Sequence, residues 1–380
     1  LKITSPDKNY ELSLRGNFQF DGRNFLNDDG NSGKDDLLAR RLRPVIEGKA
    51  GNASFRLMPD YAGSSTRIFD AHADYKLFDA LQFRFGKFKT PVSLERLQSP
   101  ADMFFIERGH ASNLAPSRDF GFMAYGNVIP DILEYQFGVF NGNADLANTD
   151  TDDDDKKDIA ARIFAHPFRN SEIVDLQGLG VGVAGSIGDR EGATSKTILG
   201  TYKTPGQQDF FRYRSTSFAD GQHLRIYPQA YWYSGNKGLL AEYAISNQNV
   251  TNSSNKAELE HKAWQIAGSY VLTGEDVNFR GGIKPFQDFK LGDNGLGIGA
   301  WEIVARAGGT DIDDKTFSVF ADPTVAASKA STYGGGLNWY LSENLKLAAN
   351  YEYTYFDGGA IGGEDRPDEH ALLTRTQFRF

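Results

Sequence analysis

The 380-residue chain contains no cysteine. That excludes a disulfide framework and thiolate metal sites, and it is compatible with export through an oxidising compartment. Long apolar runs are also missing. Mean hydropathy is −0.47, and no apolar stretch approaches about 18 residues, so no helix can span a bilayer. A transmembrane barrel is not excluded, because its strands are apolar on one face only. Positive charge is not in excess. The 41 Lys and Arg face 50 Asp and Glu, a net charge of −9, which argues against a nucleic-acid partner. No Pro/Ser-rich linker and no switch from strand-like to helix-like periodicity divides residues 1–380, so a single domain is expected where a soluble chain of this length would usually split. Nothing at Leu1 resembles a signal peptide; an exported protein would be in its mature form.

Reactive motifs are lacking as well. GVGVAG (180–185) fits GxGxxG, but it lies in a strand-like stretch with no helix after it. The acidic run at 150–155 lacks EF-hand spacing, and a solvated loop explains it better. His110 near Ser112 hints at a hydrolase, yet the GxSxG elbow is absent. No cofactor, no metal and no catalytic residue is expected.

What the chain does contain is alternation. In the closing LLTRTQFRF, Leu372, Thr374, Thr376, Phe378 and Phe380 fall on one side and Arg375, Gln377 and Arg379 on the other. Successive strand side chains point to opposite faces. The same pattern puts Leu12, Leu14, Phe18 and Phe20 against Ser13, Arg15, Asn17 and Gln19. It puts Trp264, Ile266 and Tyr270 against Gln265 and Ser269. Trp301, Ile303 and Ala305 oppose Glu302 and Arg306. About sixteen strands are expected, near 9–22, 39–49, 52–61, 67–77, 80–90, 119–128, 131–142, 157–168, 178–190, 223–234, 237–249, 259–273, 299–311, 331–341, 344–356 and 370–380. Short connections (48–54, 77–81, 127–132, 233–238, 340–345) alternate with long polar ones (23–38, 91–118, 143–156, 190–222, 249–258, 312–330, 357–369). Two break the rule: 61–66 is short and 273–298 is long. An even strand count, with short turns at one rim and long loops at the other, predicts an all-β transmembrane antiparallel barrel of the outer-membrane kind. Trp232, Tyr340, Tyr353, Tyr355 and Phe356 are expected in its aromatic girdles.

Several stretches resemble the phosphate-selective porin O/P family: ARRLRPVIEGKAG, FRFGKFKTPVSLERL, SYVLTGED, GAWEIVARAG and GGGLNWYLSENLKLAANYEYTYFD, with the closing strand. The terminal Phe looks like the assembly signal of bacterial outer-membrane proteins. The resemblance implies a sixteen-stranded outer-membrane homotrimer among lipid and lipopolysaccharide. It also implies a third long loop (91–118) folded into the lumen and an anion path lined by Arg and Lys. Small-residue wall segments such as GLGVGVAG would favour close approach of neighbours.

The same resemblance places the candidate path. Glu95-Arg96 and Glu107-Arg108 match the acid–base pairs that bracket the family's loop, with Arg96 where the family has Lys. The second loop lysine falls on Ala101, followed by Asp102, a departure that bears on any high-affinity phosphate site. Arg40-Arg41 match constriction arginines, and by alternation Arg41 and Arg43 point inward. Arg84, Lys87 and Lys89 lead into the loop, and Asp70 matches an acid beside the lysines. Arg212 and Arg214 lie in a long loop, with inward Arg225 on the next strand. Met103, Phe104, Phe105 and Ile106 are too apolar for a loop in water and should pack on the inner wall. The expected function is a passive porin for small anions, phosphate or related oxyanions. The alternatives are a general diffusion porin with weak or cation preference and, in another class, an outer-membrane enzyme such as a lipase.

Overall fold

The computed structural model describes residues 1–26, 33–152, 154–291 and 297–380. Sixteen antiparallel strands form its wall: β1 (Tyr10–Phe25), β2 (Asp36–Ala50), β3 (Ala53–Asp60), β4 (Arg67–Phe78), β5 (Leu81–Phe88), β6 (Asp119–Ile129), β7 (Leu133–Phe140), β8 (Asp158–Ala165), β9 (Leu179–Glu191), β10 (Phe218–Ser234), β11 (Lys237–Thr251), β12 (Lys256–Val271), β13 (Ala300–Asp311), β14 (Ala327–Tyr340), β15 (Leu345–Gly358) and β16 (Glu369–Arg379). Each pairs with its sequence neighbours, and β16 pairs with β1 in the register Phe378↔Phe18 and Gln377↔Gln19. The sheet therefore closes and has no edge. All sixteen strand positions agree with the alternation in the sequence.

The inside–outside assignment follows parity. Leu12, Leu14 and Phe20 are exposed on the outer surface, whereas Gln19 and Asp21 are buried within. Phe380 ends the chain against Phe18, with ring centroids 5.8 Å apart, and its amide donates to Gly16 O. A Cβ on Gly16 would lie 2.3 Å from the Phe380 ring, which would have to shift to admit it. Below it, Lys2–Thr4 adds to the stretch of β1 that β16 leaves uncovered.

Turn chemistry sorts the rims. Gly51 (φ 58) starts the two-residue connection between β2 and β3, a left-handed position suited to a tight hairpin. The exceptions stand as expected, with 61–66 short and 272–299 long. One further long connection, 166–178, lies at the short-turn rim. Other expectations need correction. The loop expected at 249–258 shrinks to 252–255, because Val250↔Ala257 and Thr251↔Lys256 continue the ladder. Tyr340 and Phe356 are buried at 7% and 3% exposure and are not girdle residues. They fall on the inward parity: Tyr340 Oη donates to Glu302, and Phe356 packs near Phe210. Gly180 and Gly182 face inward and make room for the Phe164 ring, whereas Gly185 lies on the outward parity with Val183 and Ile187.

The barrel is not an open tube. The loop 89–118 folds into it, carrying a short helix (Leu94–Leu97) and a 3-10 turn (His110–Leu114). A hairpin of Thr201–Lys203 and Asp209–Arg212 also enters, burying Tyr202, Phe210 and Phe211. From the opposite rim the 272–299 connection inserts Phe279, stacked on Tyr231 at 4.8 Å. These aromatics fill the β9–β16 side and leave open space along β1–β8. Residues 27–32 of the expected loop 23–38, and Asp153 of the acidic run, lie outside the described residues.

Candidate functional site

The loop 89–118 is fixed by its own sequence. Ser93 caps the short helix by accepting from Arg96 N at 3.3 Å. Met103, Phe104, Phe105 and Ile106 are at most 7% exposed, as their apolar run requires. The wall supplies the polar partners: Ile106 N donates to Asn350 Oδ1 at 2.7 Å, and Asn338 Nδ2 donates to Phe104 O at 2.8 Å. Arg306 stacks over Phe105 at 4.3 Å and donates to Glu107 O at 2.7 Å.

At the loop tip Glu107 meets three arginines: Arg40, Arg41 and Arg375. Arg40 and Arg41 are consecutive, so strict alternation would turn them apart. A register shift removes the conflict. Gln19 pairs with Arg41 but Phe20 with Ala39, so Arg40 is the extra residue of a bulge and reaches the same carboxylate. Arg375 also forks onto Asp21, with both distances 2.7 Å.

Most of the other candidate cations are likewise paired. Arg43 donates to Asp60 at 2.7 Å and lies 3.8 Å from the Phe69 ring centre. Arg84 donates to Asp74 at 2.7 Å. Lys87 is fully buried and pairs with Asp150. Asp70 holds Arg118 at 3.2 Å and Arg56 at 3.0 Å. Arg225 lies between Asp145 and Asp158. Arg212 and Arg214 stay outside the narrowed region: Arg212 is exposed on the inserted hairpin, and Arg214 pairs with Asp322 at 3.2 Å between outer loops.

Three cations differ. Lys89 donates to Leu97 O and Gln98 O at 3.2 and 3.0 Å. Arg96 donates twice to Ser112 O, at 2.7 and 3.2 Å. Arg108 donates to Glu95 O and Gln98 O at 3.2 and 3.1 Å. Among the described residues none of the three forms an ion pair. Their charges crowd one another and Arg118. Burial first, then Arg118 and Arg108, push Lys89 well below its ordinary value. Burial and Arg118 push Arg96 down to about 10, and burial and Arg96 push Arg108 down to about 9. All three are held by carbonyl dipoles instead of counter-charges.

The open space beside Lys89 is a cavity of about 910 Å³. Its lining includes Lys89, Arg84 and Arg56 together with Asp70, Asp74 and Asp102. Asp102 is not a free acid. It pairs with Arg379 at 2.9 Å and accepts from Gly281 N at 3.2 Å, so the position after Ala101 ties the loop to the 272–299 insert. Sequence parity put Arg306 and Arg375 inside the barrel, but it gave no sign that they hold the loop tip. Arg118 was missed; its only signal is its place at the end of the loop.

The chain matches the family model of phosphate-selective porin O and P over residues 12–380. It is 26% identical to Porin O of Pseudomonas aeruginosa over 419 aligned positions, covering 100% of this chain and 91% of that protein. Among solved structures it is similar to the outer-membrane channel DcaP of Acinetobacter baumannii, with 13% identity, TM-score 0.62, and 100% and 99% of the two chains covered. It is also similar to an anion-selective porin from Comamonas acidovorans, with 12% identity, TM-score 0.60 and coverage of 98% and 100%. A trimer form of OmpT from Vibrio cholerae matches at 11% identity and TM-score 0.59, over 98% and 99% of the chains.

Proposed function

The chain belongs to the phosphate-selective porin O and P family and is a channel of the bacterial outer membrane, and from that premise we propose that it passes small anions by diffusion, phosphate and related oxyanions among them. One observation carries the reading: Lys89, Arg96 and Arg108 sit on the inward loop with carbonyl partners only. Unpaired cations in a narrow lumen favour anions. The guanidinium fork matches two oxygens of a phosphate or carboxylate. Residues 91–118 are then the constriction loop, with the paired arginines Arg40, Arg41 and Arg43 holding the wall and loop tip in place.

A second reading has its own support. Most lumen arginines are neutralised by carboxylates, and the cavity lining carries acids as well as bases. A general diffusion pore with weak preference would look this way. Added phosphate separates the two. With chloride fixed, an oxyanion site on the loop cations lowers single-channel chloride conductance as phosphate is titrated in. A conductance that phosphate does not reduce supports the general pore.

We also propose a homotrimer, joined through the β3–β8 sector. Strands β3, β5, β7 and β8 have eight residues each. A tilted strand needs roughly 9–11 to cross the hydrocarbon. The outward faces there carry exposed Phe55, Phe85, Phe122 and Phe137. A short wall with an aromatic face is better covered by a second copy than by lipid, which together with lipopolysaccharide covers the taller sector.

A further inference from the structure

The proposed anion path leaves one acid pair without a role. Glu95 on the loop and Glu242 on β11 share a single amide: Gln265 Nε2 donates to Glu95 Oε2 and to Glu242 Oε1, both at 3.0 Å. Glu242 further accepts from Leu94 N at 2.8 Å, Ser93 Oγ at 3.2 Å and Glu95 N at 3.4 Å. Glu95 Oε2 accepts from Gly109 N and Ser112 Oγ, each at 3.0 Å. Both residues are buried, at 7% and 4% exposure, and among the described residues neither forms an ion pair. Among the described residues the Gln265 carbonyl oxygen has no partner, so that side chain offers the pair only its donor end.

The groups around the pair are those of the filter. Arg96 and Arg108 face it from the loop, and Glu352 with its partner Arg306, Tyr227 and Tyr233 face it from the wall. Ser93, Ser112 and the loop backbone link the acids to the cations. Ser93 Oγ accepts from Arg96 N and donates to Glu242. Ser112 donates its hydroxyl to Glu95 and accepts from the Arg96 guanidinium at its carbonyl. Arg108 donates to the Glu95 carbonyl. Two carboxylates thus lie behind Arg96 and Arg108, close enough to offset their charge yet shielded from solute.

We propose that Glu242 is a specificity-determining residue, which beside Glu95 sets the net charge of the Arg96–Arg108 filter, so that proton uptake at Glu242 strengthens anion preference. This rests on the anion-channel reading above. The sign is fixed: as pH falls a carboxylate loses its negative charge, the arginines keep theirs, and the filter becomes more positive.

The test is the chloride-to-potassium permeability ratio of the reconstituted protein between about pH 8 and about pH 4, the range over which carboxylates take up protons. In the wild type the ratio rises on acidification. Glu242→Gln has a ratio at pH 8 at least roughly twofold above wild type, as expected for one charge at close range in a confined lumen, and a smaller rise on acidification. Glu242→Asp keeps the charge and the pH step, which a purely structural role would not separate from Gln. If Glu242→Gln fails to give a folded barrel, Glu95→Gln is measured with the same expectation. An anion-selective wild type whose ratio and pH step are unchanged in the folded Gln variant overturns this inference alone. A cation-selective wild type overturns the channel reading and this inference with it.

Discussion

Replacing Arg96 and Arg108 together by Gln removes two positive charges that, among the described residues, no ion pair offsets. Gln keeps an amide donor for the carbonyls of Ser112, Glu95 and Gln98, so the loop loses charge before it loses its stitching. At about 8 Å and an effective dielectric of about 40, a unit charge acts on a passing ion with about 1 kcal/mol. Screening at 0.1 M salt roughly halves that. Two charges therefore favour an anion by about 1 kcal/mol and disfavour a cation by a similar amount. The anion-to-cation permeability ratio should fall at least roughly fivefold, since about 1.4 kcal/mol is a factor of ten. The control is Arg43→Gln with Asp60→Asn, which deletes a neutral pair 2.7 Å apart and should change the ratio by less than about twofold. The assay is the reversal potential in a planar bilayer, with barrel folding checked by heat-modifiable gel migration. If the loop double variant folds normally and keeps the wild-type ratio, or if the neutral-pair control changes it equally, the filter has been placed wrongly.

Lys89 gives a pH prediction on the alkaline side. Its charge is present below its pKa and lost above it, and that pKa is pushed well below the ordinary 10.5 by burial and by neighbouring Arg118. As pH rises, anion preference should begin to fall before that ordinary value is reached, and Lys89→Arg should remove this step. Arg375→Ala strands Asp21 and the Glu107 latch. The folded barrel should lose about 3 kcal/mol in urea unfolding, because breaking a buried pair leaves an uncompensated charge. Phe85→Arg on the short sector should yield monomers by mass photometry, while Ile266→Arg on β12 should not; trimers from both would refute the assigned interface. Neutralising Asp152 and Asp154 on the outer loop should leave the permeability ratio within experimental error of wild type.

Parity made the wall legible in the sequence. Leu12, Phe20, Trp264 and Phe378 face out and Gln19, Arg375 and Glu302 face in, because a period of two survives wherever one face meets lipid. The inward loop was legible for a related reason: four consecutive apolar residues, Met103 to Ile106, cannot rest in water. The second inserted hairpin carries a similar apolar pair, Phe210-Phe211, in an otherwise polar loop. What alternation could not give was register and long-range pairing. The bulge at Arg40 exists only relative to β1, so no local pattern shows that Arg40 and Arg41 reach one carboxylate. Arg225 meets Asp145, and Arg375 meets Glu107, across large sequence separations. A run of arginines therefore reads as an open basic path until its acids are located. Tyr340 and Phe356 were assigned outward on residue type against their own parity, and the parity was right.

The central claim is that a minority of unpaired loop cations, in a lumen where most charges cancel, makes the channel anion-selective. The most direct test is the zero-current potential of the wild-type protein in a planar bilayer at neutral pH, with a tenfold KCl gradient. A potential of the sign for chloride permeating faster than potassium is predicted; a potential of the opposite sign would contradict the account.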